Sequence, residues 1–210
     1  ESGASSADRI VWVPNGIDTG TFRPLSGVKR EENRIITTTS SDVPIKGLRY
    51  LLEAVASIAK QRDIRVTVIG KPRKDKGVED LVRDLALGRF VEFTGRIEDE
   101  EFAHYYARAT LAVVPSLYEG FGLPVLEAQQ AGVPVICSAA ASLPEVAGEG
   151  AEYFDPYSVP DMAEKIAMVL SSEAVREDLR RKGRANLQRF SWDRAARETL
   201  DVYGRAMALP

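Results

Sequence analysis

Short apolar runs alternate with longer amphipathic segments along most of the 210-residue chain. The runs are rich in valine and isoleucine, and several are bounded by glycine or proline. This composition is typical of strands that are buried on both faces of a sheet. The predicted strands, of which the last is the weakest, are residues 10–13, 34–38, 65–69, 90–93, 111–114, 133–137 and 151–154.

Between these runs, apolar residues recur every three or four positions, as on one face of an α-helix. The clearest pattern starts at Leu48 and continues through positions 51, 52, 55, 58 and 59. Further helices are predicted over residues 77–87, 99–109, 123–131, 159–170 and 173–190, with a kink at Gly183 left open. Ser191 is suited to cap a last helix that runs to Ala208. Alternating strands and helices predict the α/β class, with a Rossmann-like parallel sheet and right-handed crossovers.

The composition is that of an ordinary soluble protein, with 44% hydrophobic and 28% charged residues. The net charge of -3 gives no global reason to expect nucleic-acid binding. Cys137 is the only cysteine, which excludes an intrachain disulfide framework and favours a reducing compartment. The sequence has neither an opening signal peptide nor an apolar run long enough to cross a bilayer, so we expect a cytoplasmic location.

Candidate chemistry gathers in the loops that follow the predicted strands. In open parallel sheets, ligands bind beyond the carboxyl ends of the strands. The loops in question are residues 39–45 with Lys46-Gly47, Gly70-Lys71-Pro72, Gly95-Arg96-Ile97 and residues 115–124. Glycines and charges are therefore predicted to cluster at one edge of the sheet.

The loop at residues 115–124 is the most informative of these. Gly120 and Gly122 free the backbone on either side of Phe121, and Pro124 suits the first turn of the helix that follows. A glycine turn that leads into a helix N-terminus presents N–H groups and a positive dipole end to a phosphate. Carboxylates at Glu119 and Glu127 would accept hydrogen bonds from the hydroxyl pairs of ribose or hexose.

Each of these features taken alone has an ordinary structural explanation, such as a turn or a helix-stabilising carboxylate. Their combination favours a ligand site. Lys46 supports this interpretation, because a cation at a helix start is mildly unfavourable against the helix dipole. There it could neutralise a diphosphate. His104 and Cys137 are interpreted as non-catalytic, the first as a packing or surface residue and the second as a small apolar filler.

These residues resemble the glycosyltransferases of family 4, which have the GT-B fold. The stretch from Glu119 to Glu127 reproduces the Glu-x7-Glu motif of that family. Other segments are also similar to family 4, and the match covers nearly the whole chain. The segments similar to family 4 are residues 13–18 with 22–24 (the interdomain linker), Lys46-Gly47 with residues 51–54, Gly95-Arg96, and residues 131–135 and 143–146.

The resemblance implies the donor-binding, C-terminal domain of a two-domain hexosyltransferase that retains anomeric configuration. Residues 1–24 would be the linker, 25–190 the nucleotide-sugar-binding domain, and 191–210 a helix that returns to an N-terminal domain absent from this sequence. The partners implied are a nucleotide-diphosphate sugar, that N-terminal domain and an acceptor at the inner membrane face. Neither cofactor nor metal is expected.

The resemblance also implies roles for individual residues. Lys46 would bind the diphosphate and Glu127 the ribose hydroxyls. Glu119 would hold donor-sugar hydroxyls, and together with Lys46 it is expected to be catalytic. Further donor contacts are expected from Gly120 and the backbone of Phe121, Gly122 and Leu123, and the base would be bordered by Gly95, Arg96 and Ile97.

One position departs from the family pattern. Ser41 stands about five residues before Lys46, where the family often has an arginine, and we keep Ser41 as a donor-binding candidate. Loss of a cation there would weaken donor binding. Two alternatives remain. One is a non-catalytic nucleotide-sugar-binding module, and the other is a sugar-nucleotide epimerase or phosphorylase on the same fold, against which Lys46 and the two glutamates argue.

Overall fold

A computed structural model describes residues 10–38, 44–72 and 77–208 of the chain. By their contacts the residues divide into two units. The first, called here the terminal unit, contains residues 1–17 and 188–210. The second, called the sheet unit, contains residues 18–187 and carries the strand-end loops.

The sheet unit contains six strands and seven α-helices within its described residues. The strands are β1 (Arg34–Thr37), β2 (Arg65–Val68), β3 (Val91–Phe93), β4 (Leu111–Val114), β5 (Val135–Ser138) and β6 (Ala151–Phe154). The helices are α1 (Leu48–Ile58), α2 (Val78–Asp84), α3 (Asp99–Arg108), α4 (Leu123–Gln130), α5 (Leu143–Ala147), α6 (Val159–Ser171) and α7 (Glu173–Leu187). The terminal unit holds α8 (Trp192–Met207).

All six strands run parallel in the order β3-β2-β1-β4-β5-β6, which confirms the predicted Rossmann-like sheet. The strand order reverses between β1 and β4. From β1 the chain builds outward to β2 and β3, and it then returns to place β4, β5 and β6 on the other side. Such a reversal leaves a crevice at the carboxyl ends of the two central strands, where open α/β sheets bind ligands.

Alternate strand residues enter two separate apolar cores. In β1, Ile35 packs in the core that includes α1 and α6, whereas Ile36 packs in the core that includes α4. β5 divides in the same way, with Ile136 in the first core and Cys137 in the second. Because side chains alternate along a strand, the two cores cover the two faces of the sheet. The middle positions of the central strands β1 and β4 are therefore apolar on both faces, which is why these strands appear as continuous runs in the sequence.

The prediction of a strand at residues 10–13 is wrong. The structure has no strand there, and Ile10 and Trp12 are 71% and 55% exposed. An apolar run becomes a strand only if a neighbouring strand accepts its hydrogen bonds. Residues 10–13 belong to the terminal unit and not to the sheet unit.

Gly183 does not end or divide α7, which is continuous from Glu173 to Leu187. A Cβ atom at Gly183 would lie 3.0 Å from Gln129 Cγ, and one at Gly150 would lie 2.8 Å from Gly183 Cα. The glycine therefore allows α7 to approach the backbone after α5 closely. In the terminal unit, the Ser191 hydroxyl accepts a hydrogen bond from Arg194 N at 3.4 Å, so Ser191 caps α8 as predicted.

Candidate functional site

A crevice opens at the carboxyl ends of β1 and β4, where the strand order reverses. Residues of both strands and of the loops that follow them line it: Thr37, Thr38, Lys46, Val113, Val114, Ser116, Glu119 and Pro124. In the sequence, Lys46 and Glu119 lie in two different strand-end loops. The structure brings them to the same crevice.

Lys46 and Glu119 form an ion pair in this crevice, with 2.7 Å between Lys46 Nζ and Glu119 Oε2. The Glu119 side chain is only 14% exposed, whereas that of Lys46 is 30% exposed. Ser116 Oγ also donates to Glu119 Oε2 at 3.2 Å. A cation and a carboxylate thus stand together where a ligand would meet both.

Gly47 explains why the two loops come so close. It has φ of 70°, a left-handed conformation that favours glycine, and it separates the short 3-10 turn Pro44–Lys46 from α1. A Cβ atom at Gly47 would lie 1.8 Å from the Pro115 carbonyl oxygen. Only glycine lets the loop after β1 lie directly against the loop after β4, and this contact places Lys46 beside Glu119.

The two glycines of the 115–124 loop differ in what the fold requires of them. Gly122 caps α4 with φ of 111°, and a Cβ atom there would lie 3.0 Å from Leu143 Cδ2. Gly120 has no left-handed backbone, and a Cβ atom there would meet nothing within 4 Å. Packing in the described part of the protein therefore explains Gly122 but gives no reason for Gly120.

A serine network that the sequence analysis missed holds this loop in place. Ser142 Oγ lies 2.7 Å from the Glu119 carbonyl oxygen and 2.8 Å from that of Phe121. The buried Ser138 donates to the Ser116 carbonyl oxygen. With these carbonyls tied back to the following loop, the glycine turn has a defined orientation. No sequence signal marked these serines, because their partners lie more than twenty positions away.

Glu127 occupies a different environment from Glu119. Burial raises the pKa of the Glu127 carboxyl from 4.5 to about 7, while the Tyr106 hydroxyl, 3.5 Å from Oε2, acts in the opposite direction. Burial and the Glu127 charge raise the pKa of Tyr106, and a hydrogen bond with Thr38 opposes them. A half-buried carboxylate with one long hydrogen bond is poorly solvated, so it is prepared to accept hydrogen bonds from a ligand.

Tyr106 is a further residue near Glu127 that the sequence did not single out. It is 2% exposed, and its ring packs against that of Phe22 in a T-shaped arrangement, with 5.9 Å between the ring centroids and 80° between the ring planes. An aromatic residue on the apolar face of a helix usually marks only the core, so its polar end gave no separate signal.

Gly95, Arg96 and Ile97 follow the edge strand β3 and lie two strands away from β1. Gly95 has φ of 73°, and its N–H donates to the Gly70 carbonyl at 3.2 Å. Arg96 is exposed, whereas Ile97 packs against the second core. The three residues lie at the same carboxyl edge of the sheet as the crevice, but at its outer part.

Of the remaining candidate residues, the structure describes Leu123 and Phe121 but not Ser41. Leu123 starts α4 and is 37% exposed, and Phe121 is half-buried. Ser41 lies outside the described residues, as does the rest of 39–43. His104 is exposed, as expected of a surface residue, and Cys137 is fully buried, as expected of a small apolar filler.

The described residues contain no group of three histidine, cysteine or acidic side chains that could hold a metal ion. Within the same ranges, no helix has the length and hydropathy needed to cross a membrane. The Thr37 hydroxyl in the crevice is buried and has no hydrogen-bond partner among these residues.

The chain is similar in sequence to known proteins of about twice its length. Over 212 residues, the chain is 38% identical to an MMP alpha-(1->4)-mannosyltransferase of Mycolicibacterium hassiacum, covering 98% of this chain and 50% of that protein. The chain spans about half the length of the curated relatives it matches.

Solved structures give the same result. A sucrose-phosphate synthase from Thermosynechococcus elongatus superposes with a TM-score of 0.82 and 29% identity, over 93% of this chain and 52% of that one. The C-terminal domain of a glycosyl transferase group 1 family protein from Francisella tularensis superposes with a TM-score of 0.70 and 26% identity, over 82% of this chain and 97% of that one. The sheet is thus that of GT-B glycosyltransferases. Because the family model for glycosyl transferases group 1 also matches residues 24–186, the chain belongs to the glycosyl transferases group 1 family.

Proposed function

We propose that this chain is the donor-binding half of a retaining, family 4 glycosyltransferase that transfers a hexosyl group from a nucleotide-diphosphate sugar to an acceptor. The observation that carries the proposal is the pairing of Lys46 with Glu119 at the reversal point of the sheet. A site for a sugar diphosphate needs a cation for the phosphates beside an acceptor for the sugar hydroxyls, and the crevice holds both.

Lys46 is assigned to the diphosphate. During transfer, the bond between the anomeric carbon and the phosphate oxygen breaks, and the departing diphosphate gains negative charge. A nearby ammonium group favours that charge, which is the basis of electrostatic catalysis. The unpartnered Thr37 hydroxyl in the same crevice supplies a further donor for a phosphate oxygen.

Glu119 is assigned to the donor sugar. Its side chain is fixed by Lys46 and Ser116 through the same oxygen, Oε2. This arrangement leaves Oε1 to accept hydrogen bonds from the sugar hydroxyls. Gly120, which has no side chain, would let the sugar approach the loop backbone closely. This role would explain a glycine at a position where packing does not require one.

Glu127 is assigned to the ribose. Its burial is costly to an ionised carboxylate unless hydrogen-bond donors reach it, and a pair of ribose hydroxyls would provide two. Gly95, Arg96 and Ile97, further along the same edge, are assigned to the base.

The missing half of the enzyme is proposed to bind the acceptor. Support comes from the relatives, of which this chain spans about half, and from the Francisella tularensis structure, which is itself a C-terminal domain. We retain residues 25–190 as the donor-binding domain, 1–24 as the linker, and 191–210 as the segment that returns to the N-terminal domain. The apolar residues of α8 that are at least half exposed, which such a domain would cover, are Trp192, Leu200, Tyr203 and Met207.

Titration calorimetry with UDP-, GDP- and ADP-sugars tests the proposal, with Lys46→Ala compared against Lys165→Ala. Lys165 is a matched control, because it is 29% exposed and also pairs with a glutamate, Glu152 at 3.3 Å, but on α6 and β6. Lys46→Ala should weaken donor binding by about 1–3 kcal/mol, roughly five- to 150-fold, for the loss of a charged contact. Lys165→Ala should leave it unchanged. Absence of binding by every nucleotide sugar would refute the proposal.

A non-catalytic binding module remains the second candidate, favoured by Ser41 at the position of the family's arginine. The two are separated by joining the chain to its N-terminal domain and measuring transfer to an acceptor. Donor binding without transfer or donor hydrolysis by that protein would favour the module.

A further inference from the structure

A second cavity lies at the opposite, amino-terminal edge of the sheet. It has a volume of about 670 Å3 and lies among residues that precede β1 and β4 and the junction of α6 with α7. We call it the amino-edge cavity. Its lining is Arg30, Glu32, Asn33, Arg62, Thr110, Leu170, Ser171, Glu173, Arg176 and Arg180.

The lining carries four arginines against two glutamates, although the chain as a whole has a net charge of -3. Two of the arginines are neutralised locally: Arg176 Nη2 lies 2.7 Å from Glu173 Oε2, and Arg180 pairs with the same carboxylate. Arg180 Nη2 also lies 2.8 Å from Glu177 Oε2, so two glutamates serve these two guanidinium groups. The local charge is positive on an otherwise acidic protein.

The other two arginines have only neutral partners among the residues that the structure describes. Arg30 donates to the carbonyl oxygens of Ala109 at 2.6 Å and Gly132 at 2.7 Å. Arg62 donates to Asn33 Oδ1 at 3.1 Å and Ser171 Oγ at 2.6 Å. These bonds fix the two side chains without balancing their charges.

Arg30 is the most informative of the four. Burial and, next, the positive charge of Arg180 lower the pKa of Arg30, and Glu173 offsets this only in part. Two like charges are therefore held near each other in a partly desolvated place. Glu173 and Glu177 already balance Arg180, so the charge of Arg30, which only carbonyl oxygens contact directly, remains for an added anion to offset.

A purely structural role explains part of this arrangement. Arg30 ties together the turns before β4 and β5, and Arg176 Nη1 donates to the last carbonyls of α6 at Val169 and Leu170. However, the two bonds of Arg30 use two of the five N–H donors of a guanidinium group. The structural role therefore leaves donors of Arg30 for a ligand. Arg62 also keeps N–H donors beyond its two bonds, to Asn33 and Ser171.

We propose that the amino-edge cavity binds a small phosphate ester that carries hydroxyl groups, of the size of a hexose phosphate. Guanidinium groups suit phosphate oxygens, because their planar donors match phosphate geometry. The volume exceeds what a single phosphate needs and falls within the range of small-molecule sites. The polar rim residues Glu32, Asn33 and Thr110 provide acceptors and donors for hydroxyls. This site is separate from the proposed donor site, since the two lie at opposite edges of the sheet.

Calorimetric titration of the 210-residue chain at low salt tests the proposal, with glucose 6-phosphate, inorganic phosphate and glucose as probes. The test variant is Arg62→Gln with Arg180→Gln. The control is Arg65→Gln with Arg181→Gln, which removes the same charge from exposed neighbours that do not line the cavity. Thermal unfolding of both variants verifies that they fold.

Glucose 6-phosphate should bind more tightly than either other probe. The test variant should lose about tenfold or more in affinity, while the control should change by less than about twofold. Lys46→Ala should leave this binding unchanged. The proposal is overturned by no binding of glucose 6-phosphate, by equal losses in the two double variants, or by loss in Lys46→Ala. If inorganic phosphate bound as tightly as glucose 6-phosphate, the proposal of a phosphate ester would be overturned, and the cavity would be a site for the free phosphate anion.

Discussion

Replacing Glu127 by glutamine should stabilise the folded chain increasingly as the pH rises from 5 to 8. Burial raises the pKa of the Glu127 carboxyl from 4.5 to about 7. Above pH 4.5 the unfolded chain releases this proton, whereas the folded chain keeps it until about pH 7. The folded state thus binds more protons within that window, so the wild-type stability falls as the pH rises through it. Glutamine has the same shape and no proton to lose.

The magnitude follows from the size of the pKa shift. Each pKa unit corresponds to about 1.4 kcal/mol, so the full shift costs the ionised wild type about 3 kcal/mol. A small part of this cost is already present at pH 5. The free energy of unfolding of Glu127→Gln minus that of the wild type should therefore grow by about 2–3 kcal/mol between pH 5 and pH 8.

Urea unfolding of both proteins at pH 5, 6, 7 and 8 measures this difference, and other titrating groups cancel in the subtraction. Glu164→Gln is the matched control, because Glu164 lies exposed on α6 and is hydrated in the folded and the unfolded chain alike. The free energy of unfolding of Glu164→Gln minus that of the wild type should stay the same from pH 5 to pH 8. A flat difference for Glu127→Gln as well would refute the reasoning, since it would mean that the carboxylate is not destabilised by its surroundings.

Further predictions concern binding and the loop glycines. Ribose hydroxyls donate to the ionised form of Glu127, so wild-type affinity for a nucleotide should rise by up to about tenfold per pH unit below pH 7 and level off above it. The same titration of Glu127→Gln should show no such rise, and a pH-independent wild type would contradict the ribose assignment. Gly120→Ala should keep the wild-type melting temperature, since a Cβ atom there meets nothing within 4 Å, yet lose donor affinity by calorimetry. Gly47→Ala should instead be destabilised by about 3 kcal/mol or more in urea, because strain at positive φ adds to the contact with the Pro115 carbonyl. A stable Gly47→Ala protein would show that the two loops can separate.

Much of the fold could be predicted because its signals are local. Buried strands such as Leu111–Val114 are continuous apolar runs, and α1 carries its period in adjacent turns. These patterns depend only on which faces of an element are buried. The rule that ligands bind at the carboxyl ends of strands then predicted correctly that Lys46 and Glu119 lie at one edge.

The errors and omissions share a physical cause. Residues 10–13 have the composition of a strand, but a strand exists only where a neighbouring strand accepts its hydrogen bonds. No local pattern predicts the short helix α5. Ser142, at the N-cap position of α5, holds the loop around Glu119 from more than twenty residues away, so its role is equally invisible in the sequence.

The sequence by itself therefore determined most of the elements, their parallel arrangement and the loops that carry the candidate chemistry. Only the tertiary structure decided which side chains meet. Lys46 and Glu119 are 73 positions apart, and their 2.7 Å contact depends on the close approach at Gly47. The environment of Glu127 is set by Tyr106 and by burial, and the four arginines of the amino-edge cavity come from separate parts of the chain. Local periodicity is a property of neighbouring residues, whereas contact, burial and electrostatic environment depend on how distant segments pack.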